Sequence, residues 1–196
     1  MSKPVPPPPN SVHPLSRGEW RAWLAANHTR TDGLWLVTYK VATGKPRVGY
    51  DEAVEEALCF GWVDSKANKL DDARSLLWFA PRKGGTGWSR PNKERVARLI
   101  AAGLMAPAGL AKVDAAKADG TWTMLDGVEA LEVPPDLAAA FAKHPNAAAH
   151  FAAFPRSAKR GILEWILQAK RPDTRARRIA ETAKLADDNR RANQWP

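Results

Sequence analysis

The sequence predicts an α+β fold that is predominantly helical, with a small antiparallel sheet in the N-terminal half packed with helices and an all-helical C-terminal part. Three observations predict it. Strand-like alternation occurs only in "GLWLVTYKV", "WVDSK" and "SLLWFAPR", all before residue 83. From Ser89 onward apolar residues recur at helical spacing. Prolines at 134–135, 145, 155 and 172 each fall just before or inside a new helix start, where a fixed φ and a missing N–H are tolerated.

In chain order, "SRGEWRAWLAANH" reads as a short amphipathic helix with Ser16 as N-cap and Glu19 completing a capping box. "GLWLVTYKV" alternates as a strand, with Leu34, Leu36 and Thr38 on one side and Trp35, Val37 and Tyr39 on the other. "YDEAVEEALCFG" is a second helix, N-capped by Asp51, apolar at Val54, Ala57 and Leu58, and stopped by Gly61. "WVDSK" and "SLLWFAPR" form two antiparallel strands across a long polar loop, residues 67–74.

Two further helices follow. Their inward residues are Val96, Leu99 and Ile100, then Leu110 and Val113, and they end at Gly103 and Gly120. Residues 121–133 form an irregular connection pinned by Trp122. The remainder divides into four short helices facing inward through Leu137, Phe141, Phe151, Phe154, Ile162, Trp165, Ile166, Ile179 and Ala183. Trp195, near the end, is either frayed or docked. The organisation expected is a disordered Pro-rich tail over 1–13, an α+β domain over 14–125 and a helical domain over 126–196.

The totals limit the class of protein. The 196 residues are 44% hydrophobic, and no apolar run approaches the ~20 residues of a membrane helix. Six of the first fourteen residues are proline and no apolar signal core is present, so the N-terminus reads as a polyproline segment. Cys59 is the single cysteine, which leaves no internal disulfide and suggests a reducing, cytoplasmic setting. His13, His28, His144 and His150 lack metal-ligand spacing, so neither a metal nor a cofactor is expected. The net charge of +9 is uneven. Lys and Arg outnumber Asp and Glu by nine to three over residues 65–98 and by eleven to five over 155–196, whereas residues 99–154 are acidic. Such a distribution is either a solvated surface or a field that gathers an anion.

Two stretches carry the candidate site. Trp62 and Asp64, two apart on a strand, project to one face; Trp62 is either a pocket wall or core, and Asp64 either orients a ligand or caps the following loop. In "FAPRKGGTGWSRPNK", Arg82 and Lys83 leave a strand, three glycines turn the backbone, and Ser89 stands at a helix start. Together these could cradle an anion, with Trp88, Ser89, Asn92 and Lys93 close by. The alternative is a flexible exit followed by an ordinary cap. No nucleophile elbow or Walker loop is present, and no catalytic residue is assigned. At the C-terminal end, Arg175, Arg177 and Arg178 crowd a helix start, where Arg175 opposes the dipole unless an anion is near. Weak, non-specific nucleic-acid contact is one use for them.

"ALCFGWVDSK", "FAPRKGGTGWSRPNKERVARLIAAGLM", "AKADGTW" and "ILQAKRPDTRARRI" resemble, in that order, the YdeI/OmpD-associated family, also called bacteriocin-protection proteins. The similarity runs from about residue 14 to the C-terminus, and residues 130 to 190 resemble that family's helical domain. The resemblance implies a small soluble bacterial protein connected with resistance to antimicrobial peptides. It implies an association with a porin by name only, and no catalytic residues. Three functions follow as expectations. The first is a cytoplasmic binding or stress-resistance protein holding a small anionic ligand between Trp62, Asp64, Arg82, Lys83, Trp88, Ser89, Asn92 and Lys93. The second is an enzyme using Asp64 as acid or base and Arg82 to stabilise negative charge. The third is a nucleic-acid module using residues 156–178.

Overall fold

Ser16 accepts the Glu19 N–H at 3.2 Å and opens α1 (Arg17–Asn27), which buries Trp20 and Leu24 completely. The Glu19 carboxylate reaches one residue further back than a capping box requires, accepting from the Leu15 N–H at 2.8 Å. The computed structural model in which these contacts occur describes residues 5–193. Trp195 and the first four residues of the Pro-rich segment lie outside the described residues. The chain divides into two compact units, Met1–Thr123 and Met124–Pro196.

The first unit is built on β2 (Leu34–Tyr39), β3 (Trp62–Lys69) and β4 (Arg74–Pro81), with β4 central and antiparallel to both neighbours. β3 runs further than the alternation in "WVDSK" suggests, whereas β4 has the expected length and starts one residue earlier. Asp71 shortens the expected loop by accepting from the Ala73 and Arg74 N–H groups at 2.9 and 2.7 Å, an Asx-type turn reinforced by an ion pair to Arg74.

A fourth strand, β1 (Ser11–Val12), pairs parallel with β2, so the sheet is mixed rather than wholly antiparallel. The expected disorder over 1–13 therefore does not hold at Ser11 and Val12. Prolines cannot donate backbone hydrogen bonds, but their neighbourhood supplies acceptors. The Val5 carbonyl accepts from Arg74 at 2.6 Å, the Pro8 carbonyl from the Ser11 hydroxyl at 2.6 Å, and the Asn10 carbonyl from the Trp35 N–H at 2.9 Å. Arg74 stands opposite Tyr39, and Trp35 lies at the other end of the same strand. The Pro-rich segment thus bridges both ends of β2 and shields what would be an open sheet edge.

Helix α2 (Tyr50–Cys59) begins two residues earlier than an Asp51 N-cap implies, because Gly49 is the N-cap and Glu52 folds back to accept its N–H at 2.8 Å. Asp51 falls inside the first turn and pairs instead with Arg95, at 2.6 Å. Glu56, on the buried side of α2, is clamped by Arg17 and Arg21 of α1, each at 2.6 Å. The apolar face of the sheet packs Leu34, Leu36, Leu77, Phe79 and Trp62 against these helices and against α3 (Arg90–Ala101) and α4 (Pro107–Ala118). Val96, Leu99 and Val113 face inward as expected, whereas Ile100 and Leu110 are exposed. Helical spacing marks a stripe but does not decide how wide a stripe is covered.

The second unit contains α5 (Asp126–Ala130), α6 (Pro135–Phe141), α7 (Ala147–Ala153), α8 (Arg156–Leu167) and α9 (Pro172–Asp187). Part of the segment expected as irregular connection is therefore helical, as α5. The four later helices begin at or close behind the marked prolines. Their core comprises the predicted residues, with Trp165 only partly buried. Among the described residues no helix is long and apolar enough to cross a membrane.

Candidate functional site

Trp62 and Asp64 share a face, since the register shift in β3 begins only after Asp64. They do different things there. Trp62 is fully buried, donates its indole N–H to the His28 carbonyl at 3.2 Å, and meets Trp23 edge-on at 5.9 Å. It is core. Asp64, half-buried at the rim of that face, accepts the Tyr50 hydroxyl at 2.9 Å. Burial, reinforced by this hydrogen bond to a carboxylate, raises the Tyr50 pKa above its ordinary value.

Arg82 follows β4 directly, and its backbone N–H bonds the Gly61 carbonyl at 2.9 Å, which draws the side chain into the unit. Only 6% of the residue is exposed. Its guanidinium donates to the Gly87 and Thr86 carbonyls at 2.5 and 3.2 Å and lies 3.8 Å from the centre of the Trp88 ring. Among the described residues no carboxylate pairs with it, and Asp64, on the preceding strand, is engaged by Tyr50 instead. Burial pushes its pKa down to about 10, which still leaves it charged at neutral pH. A buried cation whose partners are neutral carbonyls and a π face is under-compensated.

The loop between Arg82 and α3 has the turn its glycines suggest. Gly85 has a φ of 73°, which favours a residue without Cβ. Ser89 occupies the N-cap position of α3, but its side chain makes no capping bond, and no acidic residue stands in the first turn. Lys83 is exposed, and so is Arg90, a neighbour that pattern reading passed over although it directly follows Ser89. Asn92 accepts a long bond from Arg95 at 3.4 Å, and Lys93 lies 5.9 Å from the Trp122 ring, which itself packs against Trp88. Asp119, held well below the usual carboxylate range by the Thr121 hydroxyl and N–H, also draws on the Gly85 amide.

The structure thus gathers Arg82, Trp88 and Ser89 around one loop, with Lys83, Asn92 and Lys93 bordering it. It assigns Trp62 to packing and Asp64 to Tyr50. At the other basic segment, Arg175 finds its anion internally, in a two-pronged contact with Asp136 at 2.7 and 3.0 Å. Arg178 bonds the Trp165 carbonyl and stacks over that ring at 4.8 Å, which leaves Arg177 exposed.

A small α+β unit joined to a compact helical one defines the class of protein. Residues 12–112 match the family described as Domain of unknown function (DUF8412), and residues 130–189 match the family described as Bacteriocin-protection, YdeI or OmpD-Associated. The chain belongs to the DUF8412 family, whose match covers half of it, and within the second unit residues 130–189 are similar to the YdeI/OmpD-associated, bacteriocin-protection family. No curated protein and no solved structure matches the chain.

Proposed function

We propose that the protein is a cytoplasmic binding protein of the YdeI/OmpD-associated type, active in stress resistance, that holds a small anion at the loop joining β4 to α3. The observation that carries this reading is the buried Arg82 guanidinium, which has no carboxylate partner among the described residues. A desolvated guanidinium gains most from a bidentate oxyanion. Lys83, Arg90 and the uncapped head of α3 add positive potential around it. Trp88 supplies a rigid wall, while Ser89, Asn92 and Lys93 supply polar contacts. Trp62 supports the site only by packing, and Asp64 only through Tyr50, so the enzyme alternative has less behind it than binding. The test is thermal denaturation of the full chain with phosphate, sulfate and small dicarboxylates. A ligand that selects the native state must raise its stability. The expected result is a saturable rise for at least one anion, abolished by Arg82→Met and weakened by exposed Lys83→Glu. No rise with any anion, or a rise that both variants retain, overturns the reading.

A further inference from the structure

Helices α6 and α7 present an unusual surface. Their outward positions Ala138, Ala148 and Ala152, with Ala142 at the end of α6, are exposed alanines, where a solvated helix normally carries charged or long polar side chains. Together with Leu131 and Val133 these alanines line a cleft of 610 Å³ floored by Phe141 and Phe151. Small walls leave the space open, and 40% of Val133 stays in contact with solvent. That volume lies within the range of small-molecule sites, roughly 300–1,000 Å³. The only ionisable side chains on the lining are His144 and Lys159, and no carboxylate is among them. Lys159 is held over the end of α7 by a 2.8 Å bond to the Ala152 carbonyl, which keeps its ammonium at the cleft.

We propose that this cleft binds an amphiphilic anion, a medium-length acyl chain with an anionic head, whose methylenes lie on the alanine walls and phenylalanine floor and whose head meets Lys159 and His144. His144 faces the Asp187 carboxylate at 3.7 Å, so the charge that the trough presents to a ligand head is that of Lys159, and the trough discriminates by charge as well as by hydrophobicity. A cationic amphiphile of the same length would gain the apolar contact and meet repulsion at the rim. The site lies wholly within the second unit and does not depend on the anion loop of the first.

The test is a titration of the isotopically labelled full chain with decanoate, below its micellar concentration, followed by amide shifts. Decanoate is expected to saturate and to move Ala138, Ala148 and Ala152. Octanoate should bind more weakly by about two- to fourfold per methylene removed. Decyltrimethylammonium should bind at least about tenfold more weakly than decanoate, the loss of one favourable charge contact and the gain of one unfavourable one. Filling the trough with Ala148→Trp, at an exposed position, should abolish binding, and Lys159→Glu should reverse the preference between the two amphiphiles. Equal affinity for the two, binding independent of chain length, shifts centred outside the cleft, or an Ala148→Trp variant that binds as the parent does would each overturn the proposal.

Discussion

His13 shows what a single residue can lose by being placed well for packing. Its ring sits 4.7 Å from that of Tyr39 and helps anchor the segment that carries β1, yet its Nε2 is buried without a hydrogen-bond partner. Burial, and then the charge of Arg74, hold its pKa below the ordinary 6.5. The folded protein therefore resists a proton that the unfolded chain accepts. Stability from this site is complete above the unfolded value and is lost as pH falls from there through the folded one. His13→Phe keeps the ring contact and removes the titration. Thermal melts between about pH 5 and 7 should show the variant gaining on the parent as pH falls, with a smaller gain at neutral pH from removing an unsatisfied buried nitrogen. Parallel melting curves at every pH would contradict this. Arg82 is the opposite case, a buried group that stays charged at neutral pH because burial lowers its pKa only to about 10.

At the scale of elements, close approach between α2 and α4 sets the geometry of the first unit. A Cβ added at Gly109 would stand 2.2 Å from the Cys59 carbonyl oxygen, inside any real contact, while the Ala106 N–H bonds that same oxygen at 3.1 Å. The two helices touch backbone to backbone there. Gly109→Ala should cost more than about 2 kcal/mol, as overpacking against a main chain does. In the anion loop, a Cβ at Gly84 would meet nothing within 4 Å. Gly84→Ala should be neutral or stabilising by up to about 1 kcal/mol through the unfolded chain. Chemical denaturation of the two variants gives the comparison, and equal midpoints would show that α4 is free to retreat.

At the scale of the molecule, each unit has its own apolar cluster, one built on the tryptophans and the sheet, the other on Leu137, Phe141, Phe151, Ile162 and Ile166. The second also has internal ion pairs, Arg160 with Glu129 and Glu164, and Arg175 with Asp136. A chain comprising residues 124–196 should therefore fold alone, with a helical circular dichroism spectrum and a cooperative melt. A spectrum without helix, or a melt without a transition, would mean that its core is incomplete. Because Asp136 is held below the usual carboxylate range by Arg175, that fragment should keep its stability above the ordinary aspartate pKa and lose it as pH falls below.

The sequence by itself determined the elements apart from the short β1 and α5, since their signals act within about one helical turn. Ser16 with Glu19, the prolines heading the last four helices, and the alternation in the three long strands all lie beside the structure they specify. Even the candidate loop was legible, because Arg82, the glycines and Ser89 are consecutive. Tertiary structure decided the partners. Asp64 meets Tyr50 from 14 residues away, Arg17 meets Glu56 across 39, and Arg175 meets Asp136 across 39. It also decided that Trp62 is core while Asp64, two residues on, is at the rim, and that prolines 6–9 lie in a docked segment rather than a free tail. A carboxylate and a guanidinium are the same groups whether exposed, paired or buried, and only the packing of distant segments settles which state each one occupies.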